Sequence, residues 1–117
     1  MGNLFIKMMK VMVVDDSHSV VRLIEDILKK KGEEVDVEAF YDGTSALDKI
    51  KEDDYDFYIL DYELPGVDGL SLAKEAEKKV GKDRVLLISA YDDFKHERYK
   101  VLHKPFKIQD LLNSLEF

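Results

Sequence analysis

Short, almost wholly apolar runs alternate along this chain with longer stretches in which apolar residues recur at helical spacing. The first run, Lys10–Val14, is apolar after its lysine, as a strand covered on both faces should be. Asp15-Asp16-Ser17 ends it, and Ser17 is suited to cap the helix that follows. That helix is expected to reach about Lys31. Val20, Ile24, Ile27 and Leu28 would form its buried stripe, Lys29, Lys30 and Lys31 would sit at its negative end, and Gly32 would stop it. Val35–Phe40 alternates Val35, Val37 and Ala39 with Asp36 and Glu38, the pattern of an edge strand with one wetter face. Asp42-Gly43 turns the chain into a second helix with Ala46, Leu47 and Ile50 inward, and Asp53-Asp54 is a loop. Phe57–Leu60 reads as a buried strand, followed by Asp61 and a turn at Pro65-Gly66. A third helix is expected from Gly69 to about Lys79, with Leu72, Ala73, Ala76 and Val80 on one side and Gly81 closing it. Val85–Ile88 is a fourth strand. The polar stretch Tyr91–Lys100 supports at most one or two helical turns. Val101–His103 is a short fifth strand. The last helix, Lys107 to about Glu116, carries Ile108, Leu111, Leu112 and Leu115, the clearest amphipathic spacing in the chain.

Strand and helix alternate five times, which implies an α/β fold: a mostly parallel sheet with helices on both faces and right-handed crossovers. A length of 117 residues suits one domain, 1–117, with no output domain after the last helix. The net charge of −7 disfavours direct binding to nucleic acid or to an anionic membrane surface. No segment approaches the roughly 20 apolar residues of a membrane span, and there is no cysteine for disulfides or thiolate metal sites. Lysines interrupt the first apolar stretch, so it is not a signal peptide, and Ile6 stands where a myristoylation motif after Gly2 wants Ser or Thr. A cytoplasmic location is expected.

The chemistry converges at one edge of such a sheet. The carboxyl ends of the strands would collect Asp15 and Asp16 from the first, Asp61 from the third, Ser89 from the fourth and Lys104 from the fifth. Asp15-Asp16 can also be read as simple helix capping. Two carboxylates about 4 Å apart repel by roughly 4 kcal/mol at an effective dielectric near 20. Lys104 supplies one counter-charge, and a divalent cation would supply the rest. Oxygen donors without cysteine or an adjacent histidine point to Mg²⁺, with Mn²⁺ as a substitute. A carboxylate in that setting can attack phosphorus and form an acyl phosphate. Mg²⁺ and Lys104 would stabilise charge on the transferring oxygens, and Ser89 would donate to them.

The segments VVDDS at 13–17, ILDYELPGVDG at 59–69, LLISA at 86–90 and HKPF at 103–106 together resemble the response-regulator receiver domain of two-component signalling. The resemblance covers nearly the whole chain. It implies a flavodoxin-like, doubly wound five-stranded sheet of order 2-1-3-4-5. It implies that Asp61 is phosphorylated by a phosphohistidine on a sensor histidine kinase or a histidine phosphotransfer protein. Asp16, Asp61 and the backbone carbonyl of Glu63 would hold Mg²⁺ directly, with Asp15 acting through water. Ser89 would be the switch hydroxyl, Ala90 would stay small to admit the phosphoryl group, and the Lys104–Pro105 bond would be cis. Glu63 and Tyr91 occupy positions that tune the lifetime of the phosphoryl group in the family.

Two features depart from the family. Its switch aromatic stands three residues before the lysine, where this chain has Val101; Tyr99, on the same side of the strand, is a possible substitute. Only fourteen residues separate Ser89 from Lys104, so the fourth helix of the family must be shortened or missing. The expected function is a stand-alone, non-enzymatic binding module that docks to a kinase, a phosphotransfer protein or a downstream protein target. One alternative is a pseudo-receiver or scaffold without a working switch. Another is a Mg²⁺-dependent phosphohydrolase with an aspartate nucleophile after the first strand, although Ser17 and His18 stand where that class needs a second Asp. His18 is expected on a helix surface, His96 in solvent, and His103 in a packing or surface role.

Overall fold

A computed structural model describes residues 8–31, 34–91 and 93–115. It forms a parallel five-stranded sheet of order β2-β1-β3-β4-β5, the flavodoxin-like order. The strands are β1 (Met9–Val14), β2 (Val35–Phe40), β3 (Phe57–Asp61), β4 (Val85–Ser89) and β5 (Lys100–His103). The helices are α1 (His18–Lys31), α2 (Gly43–Glu52), α3 (Gly69–Val80) and α4 (Ile108–Ser114), with one 3₁₀ turn at Lys82–Arg84. Here α4 is the last helix. Gly32, the expected stop of α1, the Gly2–Ile6 stretch, and Glu116, the expected end of the last helix, lie outside the described residues.

Successive side chains of a strand point to opposite faces, so a sheet covered on both sides needs apolar residues throughout. β1 shows the division. Val11 and Val13 pack with Ile24 and Leu28 of α1 and Leu111 of α4, while Met12 and Val14 pack with Ala46 and Ile50 of α2 and Leu72 and Ala73 of α3. Every residue of β3 is buried. Asp61 therefore ends a strand whose neighbours are fixed on both faces. Removing one such side chain, for example Ile59→Ala, would cost about 2–5 kcal/mol. β2 is an edge strand, and Asp36 on it is exposed.

Helices α2 and α3 start on side-chain caps. Asp42 accepts from the Ser45 N–H at α2, and Asp68 accepts from the Ser71 N–H at α3. Between β3 and α3 the chain turns at Gly66, which takes φ +79. Gly69 then passes so close to the end of β3 that a Cβ there would lie 1.9 Å from the Asp61 carbonyl oxygen.

Some expectations need correction. In α1 Ile24, Ile27 and Leu28 are buried as expected, but Val21 joins them in place of Val20, which is half-buried at the edge of the same stripe. In α2 Leu47 is only partly buried. In α4 Ile108 is 54% exposed, because the helix spans seven residues and its buried stripe reduces to Leu111 with Leu112 and Leu115 beside it. No helix lies between β4 and β5 among the described residues. Tyr99 takes over part of that cover. It is 4% exposed and packs with α2 and α3 residues, with Phe94 and Val101 against the same cluster.

Candidate functional site

The carboxyl end of β1 delivers Asp15 and Asp16, the end of β3 delivers Asp61, the end of β4 Ser89, and the residue after β5 is Lys104. The structure brings them together. Asp15 is fully buried, accepts a hydrogen bond from the Ser17 N–H through Oδ1 at 2.9 Å, and pairs through Oδ2 with Lys104 Nζ at 2.7 Å. Asp61 Oδ2 lies 3.2 Å from the same ammonium, and its Oδ1 accepts from the Glu63 N–H at 3.2 Å. Asp16 is exposed, yet one of its carboxylate oxygens lies within 4.8 Å of oxygens from both Asp15 and Asp61.

Backbone ties hold this arrangement. The Lys104 N–H donates to the Ser89 carbonyl at 2.7 Å, and the Tyr62 N–H donates to the Ile88 carbonyl at 2.8 Å. The Lys104–Pro105 bond is cis. Ser89 is buried, and its Oγ accepts from the Tyr91 N–H at 3.0 Å. Ala90 is exposed at the lip of the site. Tyr91 is also exposed, and a hydrogen bond to the Glu63 carboxylate raises its pKa.

Three carboxylates against one ammonium leave the site short of positive charge. Burial, then the negative charge of Asp15, push the Asp61 carboxyl up to about 6, with Lys104 opposing. Burial works to lower Lys104, but its hydrogen bonds and charge contacts with Asp15 and Asp61 outweigh this and hold it above its ordinary value. The donor set is oxygen only and partly open, which fits a hard divalent cation that keeps some of its waters. Asp15 already has both oxygens engaged, which suits an indirect part in such binding.

The remaining candidates fall elsewhere. Val101 is half-buried and aliphatic. Tyr99 does face the same side as Val101, but its hydroxyl donates to Glu77 of α3, which also takes the Arg98 guanidinium. His18 stacks on Tyr41 with ring centroids 3.9 Å apart. His96, expected in solvent, is half-buried because its ring lies 5.0 Å from that of Tyr99 and its Nδ1 accepts from the Arg98 N–H. Two residues carry contacts that local spacing does not reveal. The ring of Phe94 packs on Tyr62, the residue after Asp61, with centroids 4.2 Å apart. The Nε2–H of His103, the residue before Lys104, donates to the Phe94 carbonyl at 2.7 Å.

The comparisons with known proteins agree with this fold. The response regulator receiver domain model matches residues 11–116. Among solved structures, the chain is similar to the response regulator TrrA of Thermotoga maritima in complex with Mg²⁺-BeF, at 30% identity over 91% of this chain and 95% of that one, with a TM-score of 0.77. It is also similar to the receiver domain of a Francisella response regulator, at 32% identity over 89% and 90% of the two chains, with a TM-score of 0.70. A CheY-like receiver protein from Methanospirillum hungatei shares the fold, at 22% identity over 92% and 90% of the chains and a TM-score of 0.77. The chain belongs to the response regulator receiver domain family, whose members act as signalling switches in two-component systems. Among the described residues, no helix is long and apolar enough to cross a membrane.

Proposed function

We propose that this receiver accepts a phosphoryl group on Asp61 from a phosphohistidine of a sensor histidine kinase or a histidine phosphotransfer protein, and signals through altered binding to a downstream protein. The observation that carries this reading is the Asp15–Asp16–Asp61 cluster closed by Lys104 at the end of the central strand. One Asp61 carboxylate oxygen forms the new O–P bond. The P–N bond to the donor imidazole breaks, and that imidazole takes up a proton as it leaves. Lys104 holds the Asp61 carboxylate in place and sits where charge on the transferring oxygens needs a donor. Ser89 supplies a hydroxyl for the bound phosphoryl group, and the exposed Ala90 leaves room for it. Asp16, Asp61 and the Glu63 carbonyl would hold Mg²⁺, with Asp15 acting indirectly. When bound, the ion supplies the positive charge that the cluster lacks. TrrA, 30% identical, was crystallised with Mg²⁺-BeF, which supports the choice of ion.

Incubation with acetyl phosphate, read by intact mass, tests this reading. The expected result is a Mg²⁺-dependent gain of one phosphoryl group that Asp61→Asn abolishes. A gain that survives Asp61→Asn would refute the assignment.

A second reading, a receiver fold that docks partners regardless of phosphorylation, draws on the aliphatic Val101 and on the stretch between β4 and β5 without a helix. It predicts a phosphoryl gain on Asp61 with no conformational response around it. The phosphohydrolase alternative needs a second Asp two residues after its nucleophile, where Ser17 follows Asp15 and His18 follows Asp16, and Asp15 is fully buried in an ion pair with Lys104.

A further inference from the structure

The family's switch position is Val101 here, and the substitute Tyr99 is fastened away from the site. Its hydroxyl and the Arg98 guanidinium both bond to Glu77 on α3, and Tyr99 is 4% exposed. A buried ring held by such a hydrogen bond is poorly placed to swing. Phe94 is placed differently. It is half-buried and connects to three residues next to the reacting groups. Its ring packs on Tyr62, covalently joined to Asp61. Its carbonyl accepts from His103, covalently joined to Lys104. Its N–H donates to the Tyr91 carbonyl at 3.2 Å, while the Tyr91 N–H donates to Ser89 Oγ. Tyr91 and Phe94 therefore form one hydrogen-bonded turn whose first member is tied to the switch hydroxyl.

We propose that Phe94, through its tilted ring contact with Tyr62 and its turn with Tyr91, is the aromatic residue that transmits the state of Asp61 to the surface, in place of a ring at position 101. This rests on the reading of Asp61 as the phosphorylated residue. When the Ser89 hydroxyl turns to a phosphoryl group on Asp61, its oxygen leaves the Tyr91 N–H. The Tyr91–Phe94 turn loses its anchor, and the Phe94 ring repacks against Tyr62. The Glu77 clamp keeps Tyr99 and the start of β5 in place, so the change is confined to the turn. The outcome is an altered aromatic surface of Tyr62, Tyr91 and Phe94 beside the site, which a partner can read.

The chain has no tryptophan, so Phe94→Trp introduces a single reporter. Mg²⁺ with beryllofluoride, a stable stand-in for the phosphoryl group, should change its emission. The same additions should leave Val101→Trp unchanged, and Phe94→Trp combined with Asp61→Asn silent. In the unsubstituted protein, NMR should show the Tyr91 amide exchanging several-fold faster, the size expected for loss of one hydrogen bond, and shifted Tyr62 and Phe94 ring signals. The Tyr99 ring signals should stay in place. Intact mass after acetyl phosphate, run in parallel, separates the two claims. A chain that gains a phosphoryl group on Asp61 but moves Tyr99 or position 101 instead of Phe94 overturns this inference alone. A chain that gains none overturns the Asp61 reading and this inference with it.

Discussion

Asp61→Asn should make the metal-free protein more stable, and the amount follows from the geometry. Carboxylate oxygens of Asp15 and Asp16 lie within 4.8 Å of an Asp61 oxygen. At an effective dielectric near 20 the buried Asp15 repels Asp61 by about 3.5 kcal/mol, and Lys104, 3.2 Å away, returns about 5 kcal/mol. The exposed Asp16 adds only a solvent-screened share, so the charges nearly cancel and burial of the carboxylate tips the balance. A carboxyl shifted from 3.8 to about 6 is charged at neutral pH at a cost of up to about 3 kcal/mol. Asparagine removes the charge and keeps an oxygen for the Glu63 N–H. Thermal unfolding in EDTA should therefore show the variant melting higher by up to roughly 12 °C, at about 4 °C per kcal/mol for a domain of this size. The sign with pH is fixed as well. A carboxyl whose folded pKa is raised binds more protons folded than unfolded, so it destabilises the wild type increasingly as pH rises from 3.8 through about 6. The gap between variant and wild type should be full above about 6 and close towards 3.8. A variant equal to or less stable than wild type at neutral pH, or a gap that ignores pH, would refute the electrostatic account.

Three other outcomes are expected. Millimolar Mg²⁺ should stabilise the wild type by RT ln(1 + [L]/Kd), about 2.7 kcal/mol at a hundredfold excess over Kd, and less in Asp16→Asn; melting curves that ignore Mg²⁺ would count against the metal site. Gly69→Ala should cost about 2–4 kcal/mol in urea denaturation, since its Cβ would sit 1.9 Å from the Asp61 carbonyl oxygen, and a loss under about 1 kcal/mol would contradict that contact. Hydrogen bonds from Arg98 and then Tyr99 hold the Glu77 carboxyl down at about 2, so this clamp stabilises the fold fully above 4.5 and is lost as pH falls towards 2. Glu77→Gln should lack that acid-sensitive loss, and parallel pH profiles of the two proteins would refute it.

Much of the fold was legible because its signals are local. The apolar run before Asp61 is buried at every position, and the alternation at 35–40 marks an edge strand. The convergence of Asp15, Asp16, Asp61 and Lys104 also followed from sequence, since parallel strands put all their carboxyl ends on one edge. What was hidden depends on contacts between distant segments. The spacing of Val20 and Val21 does not decide which faces the sheet, because the tilt of a helix is set by its neighbours. Ile108 fits an amphipathic pattern, but a pattern does not say how many turns reach the core. The loss of the helix between β4 and β5 was open from chain length alone. What replaces it was not: Tyr99 and Arg98 meet Glu77 of α3, and Phe94 meets Tyr62, only because β4 and β5 pair beside them.

The most direct test of the central claim locates the phosphoryl group rather than counting it. After incubation with acetyl phosphate and Mg²⁺, borohydride cleaves an aspartyl phosphate reductively and leaves homoserine, which peptide mass spectrometry assigns to a position. The account predicts homoserine at position 61 and at no other aspartate. Homoserine at Asp15 or Asp16, with Asp61 unmodified, would contradict it.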